Sequence, residues 1–103
     1  MAAKKKAKPF DAAEYLDSDE AIADYITEAL YTSDIEVITH AIGVAAKARG
    51  MTEIARETGL SRESLYKALS GEGDPRFETI SRVLKALGLQ LRAEPTPTDQ
   101  RAA

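Results

Sequence analysis

Residues 53–71 read EIARETGLSRESLYKALSG, two short stretches of helical periodicity divided by one glycine. Thr52 is placed to cap a helix over Glu53 to Thr58, which Gly59 ends as the left-handed residue past its C-terminus. Ser61 then caps a second helix, and Gly71 closes it. Two helices joined so tightly need a small residue inside the first, so that the second can cross close to it. They also need positive φ in the turn and an apolar residue in the second helix facing back to the core. Ala55, Gly59 and Leu65 supply these at spacings of four and six, and Ile54, Leu60, Ala68 and Leu69 complete the apolar contacts. The pattern predicts a helix-turn-helix over residues 52–70.

The flanking sequence supplies three more helices. Upstream, Asp17 with Glu20 has capping-box spacing, and Ile22, Tyr25, Ile26, Ala29 and Leu30 recur at three- and four-residue steps. Ser33 and Glu36 repeat the box for a second helix, whose expected buried stripe is Ile35, Ile38, Ala41, Ile42 and Ala45. Lys47 and Arg49 fall in its last turn before Gly50. Downstream, Pro75 opens a fifth helix lined by Ile80, Val83, Leu84 and Leu87 and closed by Gly88. Leu89-Gln90-Leu91-Arg92 alternates, which leaves open a brief C-terminal strand or an extended arm. The expected architecture is one all-α domain of five helices over residues 10–92, between a basic arm (1–9) and a frayed tail (93–103).

Composition narrows the function. The 103 residues fit a single domain, and the absence of cysteine excludes disulfides and thiolate metal sites. His40 is the only histidine, so metal and His-dependent catalytic sites have no support, and neither an enzyme nor a cofactor is expected. No apolar run reaches the ~20 residues that span a membrane. The start, MAAKKKAK, does not read as a secretion signal, so a cytoplasmic protein is expected. The net charge is −3, but it is unevenly distributed. Residues 1–46 hold four lysines against nine acids, whereas residues 47–92 hold nine Lys/Arg against six. Attraction to phosphate follows the local patch rather than the chain total.

The stretch ARETGLSRESLYKALSGEGDPRFETISRVLKALGL resembles the DNA-binding core of Xre-type, phage-repressor-like proteins. More narrowly, FDAAEYLDSDEAIADYITEAL followed by ARGMTEIARETGLSRESLYKALS resembles the HigA-like addiction module antidote family. The resemblance covers about residues 10 to 92 and implies a phage-repressor-like helix-turn-helix fold. It also implies an antitoxin that neutralises a RelE/ParE-type toxin protein and represses its own operon. Many Xre-type proteins carry a glutamine at the start of the first motif helix, on the phosphate backbone, where this chain has Met51-Thr52.

On this reading the partners are double-stranded operator DNA, the cognate toxin and a second copy of the chain. Arg62 has the planar fork that matches guanine O6 and N7. Lys67 and Ser61 hold phosphate, and Thr52 is a further candidate donor. Tyr66 packs on a thymine methyl or donates to phosphate. Glu63 accepts from cytosine N4 or favours the helix start, and Arg76 clamps a second strand. Val83, Leu87, Leu89 and Leu91 are the expected dimer contact, since one module reads too few bases for a unique site. The acids Asp17, Asp19, Glu20 and Asp24 either stabilise a helix start or face a basic toxin. Two other readings compete: a repressor without a toxin partner, and an interaction module that no longer binds DNA.

Overall fold

A computed structural model describes residues 12–71 and 74–97; the basic arm, Phe10 and residues 98–103 of the tail lie outside the described residues. A 3-10 turn, Ala12–Tyr15, leads into α1 (Asp19–Leu30), α2 (Ile35–Arg49), α3 (Met51–Thr58), α4 (Arg62–Ala68) and α5 (Phe77–Ala86). The described residues form an all-α domain of five α-helices, as the periodicity predicts. Among the described residues there is no strand. Residues 89–97 run without regular structure, because no neighbouring strand offers them a ladder of partners.

The helix starts differ from expectation by a residue or so, each for a local reason. Ser18, not Asp17, caps α1: its backbone is extended and its hydroxyl accepts from the Ala21 amide at 3.1 Å. Asp34, not Ser33, caps α2, its carboxylate accepting from the Glu36 and Val37 amides at 3.0 and 3.4 Å. Ser33 instead takes φ 57° in the turn before it. Helix α3 begins at Met51 rather than after a Thr52 cap, with Gly50 at φ 118° serving as both the end of α2 and the start of α3. Helix α4 stops at Ala68, short of Gly71, and α5 begins at Phe77 after Arg76 rather than at Pro75. Ser61, Gly59 and Gly88 act as predicted.

α2 is the central helix and packs against α1, α3, α5 and the 3-10 turn. It can do so because its buried residues are mostly small: Ala41, Gly43, Ala45 and Ala46 alongside Ile42 and Thr39. Gly43, Ala46 and Thr39 fall outside the stripe read from the sequence. A Cβ at Gly43 would stand 3.0 Å from the Leu69 carbonyl oxygen, so α2 and the end of α4 meet with no room for a side chain. Ile22, Ile42, Ile54, Leu65 and Val83, one from each helix, form the fully buried centre together with Leu87, the residue just past α5. Leu30 and Ile35, both expected in the core, are exposed instead. They occupy the last turn of α1 and the first turn of α2, beyond the edge of the packed layer.

Candidate nucleic-acid interface

The α3–α4 unit is built from its turn outward. The Gly59 amide donates to the Ala55 carbonyl at 3.0 Å while Gly59 itself takes φ 79°, a left-handed conformation that glycine reaches without steric cost. The buried Thr58 hydroxyl donates to the Ile54 carbonyl at 2.8 Å and accepts from the Leu60 amide at 3.3 Å, tying the end of α3 to the turn. Arg82 of α5 donates to Glu78 at 2.8 Å and approaches the Thr58 carbonyl at 3.5 Å from behind. Leu65 enters the core at 0% exposure, which fixes the roll of α4.

That roll leaves Ser61, Arg62, Glu63, Tyr66 and Lys67 on the solvent side of α4; Thr52 and Arg76, in the first turn of α3 and just before α5, are exposed too. Ser61 has little capacity to spare, because its hydroxyl accepts from the Ser64 amide and donates to the Ser64 hydroxyl. Glu63 lies in the first turn of α4, where the helix dipole favours a carboxylate. Helix α3 starts without a side-chain cap, so its leading amides beside Thr52 are open to an acceptor.

Charge pairing separates the basic residues into two groups. Arg49, Arg56 and Arg82 are joined to Asp19, Glu53 and Glu78 respectively. Arg62, Lys67 and Arg76 have no ion-pair partner among the described residues, so their charge is available to an outside anion. On the outer face of α3 the Glu53 carboxyl is held below its ordinary range by a hydrogen bond with Glu57 and by Arg56. The same hydrogen bond raises Glu57.

Sequence reasoning missed two residues here. His40 and Lys47 of α2 line a shallow hollow of about 300 Å³ together with Met51, Tyr66 and Leu69. Lys47 therefore sits beside the exposed face of α4 that carries Tyr66. Its position in the last turn of α2 signalled only a helix-dipole role, because neighbours from another helix are invisible to local spacing.

The expected dimer residues separate by burial. Val83 and Leu87 are fully buried in this chain's own core and offer no surface to a second copy. Their recurrence at helical spacing signalled an apolar face, which the fold covers internally. Leu89 is half-buried and Leu91 is 52% exposed. Among the described residues no group of acidic or histidine side chains is arranged to hold a metal, and no helix is long and apolar enough to cross a membrane.

Residues 6–95 match the model of a family described as probable addiction module antidote protein. A protein of Haemophilus influenzae, described as uncharacterized, is 52% identical over 87 residues, covering 84% of this chain and 90% of that one. No solved structure matches the chain.

Proposed function

From the premise that the chain belongs to the addiction module antidote family, we propose that it is a DNA-binding antitoxin with an Xre-type helix-turn-helix. In this reading it neutralises a RelE/ParE-type toxin and represses its own operon as a homodimer. An antidote acts by stoichiometric binding, not by catalysis. The observation that carries the DNA half of the reading is the exposed set Arg62, Lys67 and Arg76, without an ion-pair partner among the described residues, beside a turn bent by Gly59.

Helix α4 enters the major groove by its amino end. Arg62 reads a base edge there, while Lys67, Arg76, Thr52 and the open amides of α3 hold phosphates and set the register. Tyr66 and Glu63 flank the base edge. Ser61 serves chiefly as the α4 cap. Dimerisation brings two such helices to half-sites about one DNA turn apart, with Leu91 and Leu89 as the apolar contact that remains once Val83 and Leu87 are assigned to the core.

Gel shift against the DNA upstream of its own gene tests the reading. Arg62→Ala is expected to cost about 1–3 kcal/mol and to relax preference at one base position. Lys67→Ala weakens binding to all sequences alike and lowers the salt slope by about 1. Equal loss on specific and random DNA for Arg62→Ala removes it as the base reader. Light scattering at micromolar concentration tests the dimer, and a monomer there counts against it.

A further inference from the structure

The outer flank of α1 and the corner joining it to α2 carry large apolar side chains that the fold leaves uncovered. Leu30 is 47% exposed, Tyr31 69%, Ile35 65% and Val37 41%. Isolated exposed residues of this kind are ordinary, but four within eight positions, one of them a tyrosine, are the composition of an interface centre. On α1, Ala23, Thr27, Leu30 and Tyr31 fall on one stripe and line a groove of about 510 Å³ whose other wall is the segment around Leu91.

The corner is fixed from within. The Thr32 hydroxyl donates to the Ala29 carbonyl at 2.6 Å and accepts from the Asp34 amide at 3.1 Å, and Asp34 in turn caps α2. Ser33 holds φ 57°, a conformation uncommon for any residue but glycine. A turn held by its own polar groups presents its apolar side chains in a set arrangement, which lowers the entropy lost when a partner covers them.

Charge identifies the occupant. Residues 12–46 contain eight acids and neither lysine nor arginine. Glu20, Asp24 and Glu28 form a row at four-residue spacing beside the apolar stripe, and Asp34 and Glu36 flank Ile35. Arg92 on the far wall of the groove is matched by Glu94 next to it. The acids at the very start of α1 have structural work: Asp19 bonds Arg49 at 2.5 Å. The carboxylates without an ion-pair partner among the described residues lie further along, next to the apolar stripe. A second copy docked here would set one acidic surface against another, whereas a basic protein with an apolar projection would match both features.

We propose that this flank, centred on Tyr31 and Ile35 and rimmed by Asp24, Glu28 and Glu36, is the docking surface for a basic partner protein, the toxin of the module. The assignment rests on the antidote reading above and relocates the toxin contact from the start of α1 to its end and the α1–α2 corner. It also puts the toxin contact on helices other than α4, so one chain can hold toxin and DNA at once.

The test uses the full chain and the purified product of the gene adjacent to its own, with binding measured by calorimetry. The variants are Tyr31→Ala/Ile35→Ala, Glu28→Lys/Glu36→Lys and, as a control, Arg62→Ala. Both double variants should weaken binding about tenfold or more, the charge reversal losing its effect at high salt, while operator gel shift and oligomeric state stay as in the wild type. Arg62→Ala should do the reverse. Full-strength binding by both double variants overturns the surface while leaving the antidote reading intact. Loss of the homodimer in Tyr31→Ala/Ile35→Ala assigns the flank to a second copy and overturns it too. Failure of the wild-type chain to bind the partner at all overturns the antidote reading, and this proposal with it. Circular dichroism on each variant, expected to match the wild type, separates loss of contact from loss of fold.

Discussion

Thr58 shows how much one side chain contributes to the α3–α4 turn. Its hydroxyl is 7% exposed with the rest of the residue and bonds on both sides, to the Ile54 carbonyl and from the Leu60 amide. Thr58→Val keeps the shape but leaves the Leu60 amide short of its partner. A loss of about 1 kcal/mol is expected, seen as a fall of roughly 4–8 °C in Tm for a domain of this size. An unchanged Tm would mean that the Leu60 amide is satisfied by water. The exposure of the candidate interface residues was legible in the sequence, since Arg62 lies between a cap and the buried Leu65 and Lys67 lies two residues past that leucine. Ser61 was only half legible: both a cap and a phosphate donor fit its type, and its bonds to Ser64 favour the cap.

At the scale of elements, two glycines do different jobs, and two substitutions separate them. Gly59 needs its φ of 79°, yet a Cβ there would meet nothing within 4 Å. Gly59→Ala therefore carries backbone strain alone, about 1–2 kcal/mol less what the stiffer unfolded chain returns. Gly43 sits in regular helix, where alanine would ordinarily add stability, but its Cβ would press on the Leu69 carbonyl at 3.0 Å. Overpacking against a backbone atom outweighs the helix gain, and Gly43→Ala is expected to destabilise by roughly 1 kcal/mol. Hydrogen exchange tells the two apart: Gly43→Ala should loosen amides at the end of α4, and Gly59→Ala those of the α3–α4 turn. The sequence announced Gly59, which ends a periodic stretch. It did not announce Gly43, whose reason is a helix far away in the chain.

Across the whole molecule, Arg49 gathers three helix ends. From the end of α2 it bonds Asp19 at the start of α1 and donates to the Leu87 carbonyl at the end of α5 at 3.3 Å. The Asp19 side chain is 67% exposed, so the ion pair itself is screened and Asp19→Asn should cost under about 0.5 kcal/mol. Arg49→Ala also removes a donor to a helix-end carbonyl and is expected to cost about 1 kcal/mol, measured by urea unfolding. Equal costs for the two would reduce Arg49 to its ion pair. The same division of the chain gives the molecule two unlike surfaces: an acidic, partly apolar flank on α1 and the α1–α2 corner, and cations around α4 that have no ion-pair partner among the described residues.

By itself, the sequence determined the five helices, the glycine stops at Gly50, Gly59 and Gly88, and the α3–α4 turn. Those features depend on short-range periodicity, capping and backbone freedom, which act within a few residues. Tertiary structure decided where the predicted apolar stripes stop being covered, because burial depends on what packs opposite. It placed Val83 and Leu87 in the core, left Leu30 and Ile35 outside it, and brought Lys47 beside Tyr66. It also decided which arginines are paired across the fold: an ion pair such as Arg49 with Asp19 joins residues thirty positions apart, and only the packing of α1 on α2 brings them together.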